Sequence, residues 1–345
     1  MVVGDDGVVT LPWLQAPLNG ALQSHRGHAL LVHGSDGVGM LPFALTLAQA
    51  WLCEGQGGAG APRPCGRCGS CRLVQSHLHP DLQVLMPELL RRQHGWLRVD
   101  DKPEAEDKKK PSKQIRIDEV RSVIDWVFKT SARGRGKVVV LHPAEALNLQ
   151  SANALLKTLE EPPQGTRLVL CTADPALLLP TVRSRCQHLR LPAPAQALAL
   201  KWLSEQGVGQ SDVLLAACSG RPLDAWQLAN AGVTADLWRA VPAAVSRGQP
   251  GALQGWPLPR VLDALHKLCH DAMALATGAQ PRYFPAGSIK AGASLEALSA
   301  WSAELGRVAR HDEHPWNEGL MFDALLAAGA RALATRAGDG GHAGV

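Results

Sequence analysis

The sequence predicts an α/β protein over residues 1–190, built on a largely parallel sheet, with helices alone beyond it. Three observations carry this. Short apolar runs at His28–His33, Lys137–Leu141 and Leu168–Cys171 alternate with helix-like segments, the pattern of a parallel sheet covered on both faces. The first run ends in a glycine-rich turn from Gly34 to Gly39 and a helical stretch from Phe43 to Leu52 follows, so strand, turn and helix open the fold. After Leu191-Pro-Ala-Pro194 the strand signal fades and only helical periodicity is left.

The elements follow in order. Residues 99–113 are charged and proline-punctuated, without periodicity, and read as a solvated loop. Its lysines Lys108, Lys109 and Lys110 belong to that exposed insertion. Ser151 to Glu160 is a helix ended by Pro162 and Pro163. Helical patterns recur at 195–206, 211–219 and 223–230, then in longer elements after about 235. Val261, Leu265, Leu268 and Ala272 share one helical face, as do Phe322, Leu325, Leu326, Gly329 and Leu333. The division expected is 1–190, 191–234 and 235–345: an α/β core, a small helical subdomain and a helical bundle whose tail from Gly338 is frayed.

Composition removes several function classes. The chain has 345 residues, of which 46% are hydrophobic and 19% charged, ordinary globular usage that excludes wholesale disorder. No apolar run reaches the ~18–20 residues of a membrane span, and no signal segment opens the chain, so a soluble cytoplasmic protein is expected. Net charge is only +4, too little to announce a nucleic-acid binder. One Tyr and four Phe make a poor stacking platform for single strands. The ten Trp are scattered and read as core or interface anchors.

Of eight cysteines, Cys53, Cys65, Cys68 and Cys71 crowd into one segment. Four thiolates satisfy tetrahedral Zn²⁺ and leave no position for water, so the site expected over about 53–71 is structural. An iron–sulfur cluster needs a further Cys-Pro that Arg72 to Gln75 lacks. A zinc deaminase needs an upstream His-x-Glu that is missing. Cys171, Cys186, Cys218 and Cys269 stand singly in apolar surroundings and read as small buried hydrophobes.

The glycine turn has the spacing of a phosphate loop at Gly34 and Gly39, with Gly37 between them. Met40 stands where that loop carries lysine, and Leu41 where it carries a hydroxyl residue. Losing two charge-assisted contacts of roughly 1.5–3 kcal/mol each weakens nucleotide binding by about 10²–10⁴-fold. The strand at 137–141 ends in His142-Pro143 instead of the carboxylates that hold Mg²⁺ and orient water. Glu145 lies two residues further on, where its side chain is expected to point elsewhere. His77, His79 and His142 read as exposed or locally hydrogen-bonded, and His311 to His314 as part of a helix-ending loop. No carboxylate pair suggests a polymerase site, and no catalytic group acting in cis is expected.

Four stretches resemble the AAA+ clamp-loader subunits of bacterial DNA polymerase III. They are Arg26 to Leu31, the cysteine module with His79-Pro-Asp81, Ser151 to Pro163, and Ser184-Arg185-Cys186. The resemblance implies an AAA+ core with an inserted zinc module, a helical lid and a helical collar. It implies that Arg185 is an arginine finger reaching a neighbour's ATP, where a guanidinium can match γ-phosphate oxygens. It sets Thr172 at a first sensor position and Leu223 where active members carry a sensor arginine. The loss of lysine at Met40 separates the chain from the hydrolysing gamma/tau type. The partners implied are delta and gamma/tau subunits in a hetero-pentameric ring that loads the sliding clamp on primed DNA. The alternatives are an active gamma/tau-type ATPase and a zinc-containing nucleic-acid-binding module.

Overall fold

The structure, a computed structural model, describes residues 2–25, 27–55, 63–96, 111–310 and 317–334. Arg26, the loop at 99–113 apart from its last three residues, the His311–His314 cluster and the tail from Gly338 lie outside the described residues. The chain divides into two compact units, Met1–Pro194 and Ala195–Val345. The division falls at the end of the expected linker. The helices expected for lid and collar both fall in the second unit.

The first unit runs α1 (Gln15–Ser24), β1 (Ala29–His33), α2 (Met40–Leu52), α3 (Gly69–Gln75), β2 (Leu82–Leu85), α4 (Glu88–His94), α5 (Ile117–Val127), β3 (Lys137–Leu141), α6 (Leu149–Glu160), β4 (Thr166–Thr172), α7 (Pro180–Arg183) and β5 (Gln187–Arg190). Among the described residues the sheet has five strands in the order β2-β3-β4-β1-β5, and every pairing is parallel. The three expected strands form its centre. The two edge strands, β2 and β5, lie outside the expected apolar runs; an edge strand pairs on one side only, and β5 is largely exposed.

Strand register decides what each face buries. Ala29 and Leu31 stand beside Leu168 and Leu170, and these beside Val139 and Leu141. That face packs on Val120, Val123 and Val127 of α5 and on Ala152, Leu155 and Leu159 of α6, the i, i+3, i+7 spacing of an amphipathic helix. Alternation sends Val32, Val140 and Cys171 to the other face, where α2 packs and the Cys171 thiol meets the Met40 carbonyl at 3.7 Å. α2 starts at Met40, three residues earlier than the sequence suggests, because Gly39 caps it with a φ of 99° and Pro42 is tolerated in a first turn. A parallel sheet delivers its functional loops at the carboxyl ends of its strands. Here those ends carry the glycine turn, His142 and Thr172.

The second unit contains α8 (Gln196–Glu205), α9 (Ser211–Ala217), α10 (Pro222–Asn230), α11 (Ala235–Ser246), α12 (Leu258–Ala276), α13 (Leu295–Ala309) and α14 (Glu318–Leu333). The expected faces of α12 and α14 are buried, with Phe322 half-buried. A Cβ on Gly329 would lie 2.6 Å from Val245 and 2.9 Å from Trp301, so α11, α13 and α14 approach closely there. Asp271, fully buried, accepts the backbone N–H groups of Arg282, Tyr283 and Phe284 at 2.7–2.9 Å. It thereby fixes the segment whose Phe284 stacks on Trp238 at 4.8 Å. No described helix is long and apolar enough to cross a membrane.

Candidate functional site

Cys53 follows α2, Cys65 and Cys68 precede α3, and Cys71 lies within it. Their four sulfurs lie within 4.8 Å of one another. Cys53 to Cys68 is 4.0 Å and Cys65 to Cys71 is 3.9 Å, too long for disulfides. A tetrahedral ion with ~2.3 Å bonds to sulfur sets its ligands roughly 3.8 Å apart, so this donor set fits zinc in number, softness and spacing. The N–H groups of Gly55 and Cys65 point at the Cys53 sulfur, and that of Cys71 at the Cys68 sulfur, at 3.4–3.5 Å. Burial pushes the Cys53 and Cys71 thiols up. It also opposes ionisation of Cys65, but hydrogen bonds from the N–H groups of Cys68 and Arg67 and from the Cys53 and Cys68 side chains together outweigh it and bring that thiol to about 6. The four isolated cysteines are buried as expected, and burial raises Cys186 and Cys218 to about 12.

Residues the spacing does not reveal hold the module in place. Gln49, fully buried, bonds both backbone groups of Val3 at 2.9–3.0 Å, and Gln75 reaches the carbonyls of Val3 and Gly66. Gly66 has a φ of 75° and sits so close to Gly4 that a Cβ would lie 1.7 Å from its carbonyl oxygen, so no other residue fits. The His79-Pro-Asp81 stretch acts from below. Nδ1 of His79 accepts the Asp81 N–H, leaving Nε2 to donate to Ser70 at 2.9 Å. Asp81 accepts from the N–H groups of Ala132 and Arg133 and from the Ser131 hydroxyl. Arg133 in turn makes a two-pronged pair with Glu54 at 2.7 Å and donates to Ser70. His77 stacks on Trp96 with ring centroids 4.0 Å apart.

At the glycine turn, a Cβ on Gly34 would lie 2.6 Å from the Leu191 carbonyl oxygen, and Trp13 donates to the Val38 carbonyl at 2.8 Å. Met40 and Leu41 are buried, at 5% and 6% exposure, so apolar packing occupies the positions of the missing cation and hydroxyl. Thr172 is fully buried, its hydroxyl donating to the Asp174 carbonyl at 3.0 Å. Glu145 departs from expectation. Its carboxylate turns back to accept the Ala173 N–H at 3.3 Å, beside the end of β4, because the short helical turn Ala144–Ala146 redirects the chain after Pro143. Leu223 is buried in the first turn of α10.

His142 also departs from expectation. Its Nδ1 is buried and finds no hydrogen-bond partner among the described residues. Burial, with His94 adding repulsion, pushes the imidazolium down to about 4. The unfolded chain takes up that proton near 6.5, so the folded state loses stability as pH falls through 6.5 toward 4. Between pH 7 and pH 5 this amounts to about 2 kcal/mol. Urea unfolding of His142→Asn is expected to lose about 2 kcal/mol less than wild type over that interval; identical pH dependence would contradict the assignment.

The Ser184-Arg185-Cys186 turn closes α7. Ser184 donates to the Thr181 carbonyl at 3.2 Å, and Cys186 points into the core with its thiol 3.4 Å from the Val182 carbonyl. Arg185 points outward. Its Nε donates to Glu160 at 2.6 Å, Nη2 donates to the same carboxylate oxygen, and Nη1 donates to the Thr181 carbonyl at 2.8 Å. Two of the four sequence stretches singled out above thus meet through this pair.

The family model described as DNA polymerase III, delta subunit matches residues 15–195, which include the cysteine module, the altered glycine turn and Arg185. The chain is similar to the delta' subunit of Pseudomonas aeruginosa, 39% identical over 64% of this chain and 62% of that protein, under two thirds of its length. It is similar to the delta' subunit of Escherichia coli, 32% identical over 77% of this chain and 78% of the relative. It also resembles the tau subunit of Escherichia coli, 33% identical over 56% of this chain and 25% of that protein. The chain belongs to the family of DNA polymerase III delta' subunits.

Proposed function

We propose that this chain is the non-hydrolysing subunit of a DNA polymerase III clamp loader, with an AAA+ core, a structural zinc module, a helical lid to about residue 234 and a collar beyond it. It completes a hetero-pentameric ring with delta and gamma/tau subunits, which opens the sliding clamp and places it on primed DNA in the cytoplasm. Its glycine turn hydrolyses no ATP. Arg185 serves the neighbour's ATP in trans, stabilising charge that develops on the transferred phosphoryl group.

One observation carries the reading. Met40 and Leu41 are packed in the interior and His142 is held neutral, while Arg185 keeps 31% of its side chain exposed on a turn closed by Ser184 and Cys186. Both halves of a cis site are replaced, and the group useful to a neighbour is presented. The four thiolates would hold zinc as a closed site, which supplies folding energy and no open coordination position. Co-expression with the delta and gamma/tau subunits is expected to yield one complex containing all three on size exclusion. Failure of the metal-loaded chain to co-elute with them contradicts the proposal.

A further inference from the structure

We infer that Glu160 is the positioning residue of Arg185, holding the guanidinium in the orientation that a neighbour's phosphate meets. This rests on the trans role proposed for Arg185. A guanidinium carries five N–H donors. Nε and Nη2 both donate to one Glu160 oxygen and Nη1 to the Thr181 carbonyl, so the chain's own groups engage three and leave two. The residues on either side of Arg185 in the turn are themselves fixed, Ser184 by the same Thr181 carbonyl and Cys186 by the core. Glu160 is the last residue of α6, whose opposite face is locked against the sheet through Ala152, Leu155 and Leu159. The anchor is therefore rigid although the pair is exposed, 31% for Arg185 and 47% for Glu160.

Exposed ion pairs add little to folding. Three bonds on one exposed arginine instead restrict its rotamers before any anion arrives. Ordering a rotamer-rich side chain only on binding costs about two- to tenfold in the equilibrium concerned. Pre-ordering removes that loss from the step in which phosphoryl charge develops. Glu160 touches no substrate in this scheme; it acts through Arg185.

The test uses the reconstituted ring with ATP and primed DNA, comparing Glu160→Ala, Glu160→Gln and Arg185→Ala. Glu160→Ala is expected to lower the kcat contribution of the site that Arg185 serves about two- to tenfold. KM for ATP and the thermal unfolding of the chain should change little. Glu160→Gln, which keeps a neutral acceptor, is expected to fall between Ala and wild type. If Arg185→Ala lowers turnover while both Glu160 variants match or exceed wild type, the positioning role is overturned and the trans role of Arg185 stands. If Arg185→Ala leaves turnover unchanged, both fall. A Glu160→Ala chain that assembles poorly but shows wild-type turnover per complex also overturns the inference, since a purely structural contact predicts that result.

Discussion

Cys68→Ser is expected to strip the metal from the chain and leave the first unit unable to hold its native fold. The wild-type protein, prepared with reduced thiols, should contain one zinc per chain by elemental analysis. A structural zinc in a small module is worth on the order of 10 kcal/mol of folding free energy, comparable to the whole stability of a domain at ~5–15 kcal/mol. The Cys68 sulfur lies 4.0 Å from that of Cys53 and also accepts the Cys71 N–H that opens α3; a serine hydroxyl can still cap that helix, so the expected loss is that of a sulfur from the proposed zinc site. The damage is expected to reach Val3 and Asp81, because Gln75 and Gln49 tie the module to Val3 and Ser70 ties it, through His79, to Asp81. Cys218→Ser, at the buried end of α9, should keep its zinc. Wild-type protein without stoichiometric zinc would contradict the assignment.

Arg185→Ala is expected to leave the isolated chain folded and the ring assembled, yet to lower DNA-stimulated ATP hydrolysis. The Glu160 pair is exposed, so its loss costs about 0–1 kcal/mol of stability. An arginine finger is worth ~10³–10⁵ at the site it serves. In the proposed ring the other sites keep their own fingers, so bulk hydrolysis is expected to fall only in part and clamp loading to fall further. Arg185→Lys should not restore the rate, because an ammonium lacks the planar two-point contact. Assembly and hydrolysis measured on one preparation separate this from a structural role, which predicts weakened assembly with normal turnover per complex.

How far the sequence discloses this protein depends on how each feature is encoded. The central strands are continuous apolar runs because both their faces are covered, and they are legible. β2 and β5 are not: β5 places His188 and Arg190 on an exposed edge, where pairing by backbone alone asks nothing of the side chains. The cysteine cluster is legible because its spacing is local. Its supports are not, since Gln49, Asp81 and Arg133 are brought together by folding across up to about eighty residues. The departure from the phosphate-loop pattern is written at Met40 and Leu41, whereas the partner of Arg185 is decided by where α6 ends beside α7. Glu145 shows the limit of spacing rules, for one short helical turn reverses the direction two residues would give it.

ATP turnover by the isolated, zinc-loaded chain decides whether this is a subunit that serves another's nucleotide. With Met40 and Leu41 buried and the imidazole of His142 neutral at pH 7, the glycine turn supplies neither the phosphate-loop lysine nor the Mg²⁺-binding hydroxyl, and His142-Pro143 stands where β3 would end in a carboxylate, the Glu145 carboxylate being turned to the Ala173 N–H. Turnover is therefore expected at background, and Met40→Lys alone is expected to leave it there, because Mg²⁺ would still lack its carboxylate and water its orientation. Hydrolysis that tracks this chain through purification, and is lost on altering its own glycine turn, would contradict the account.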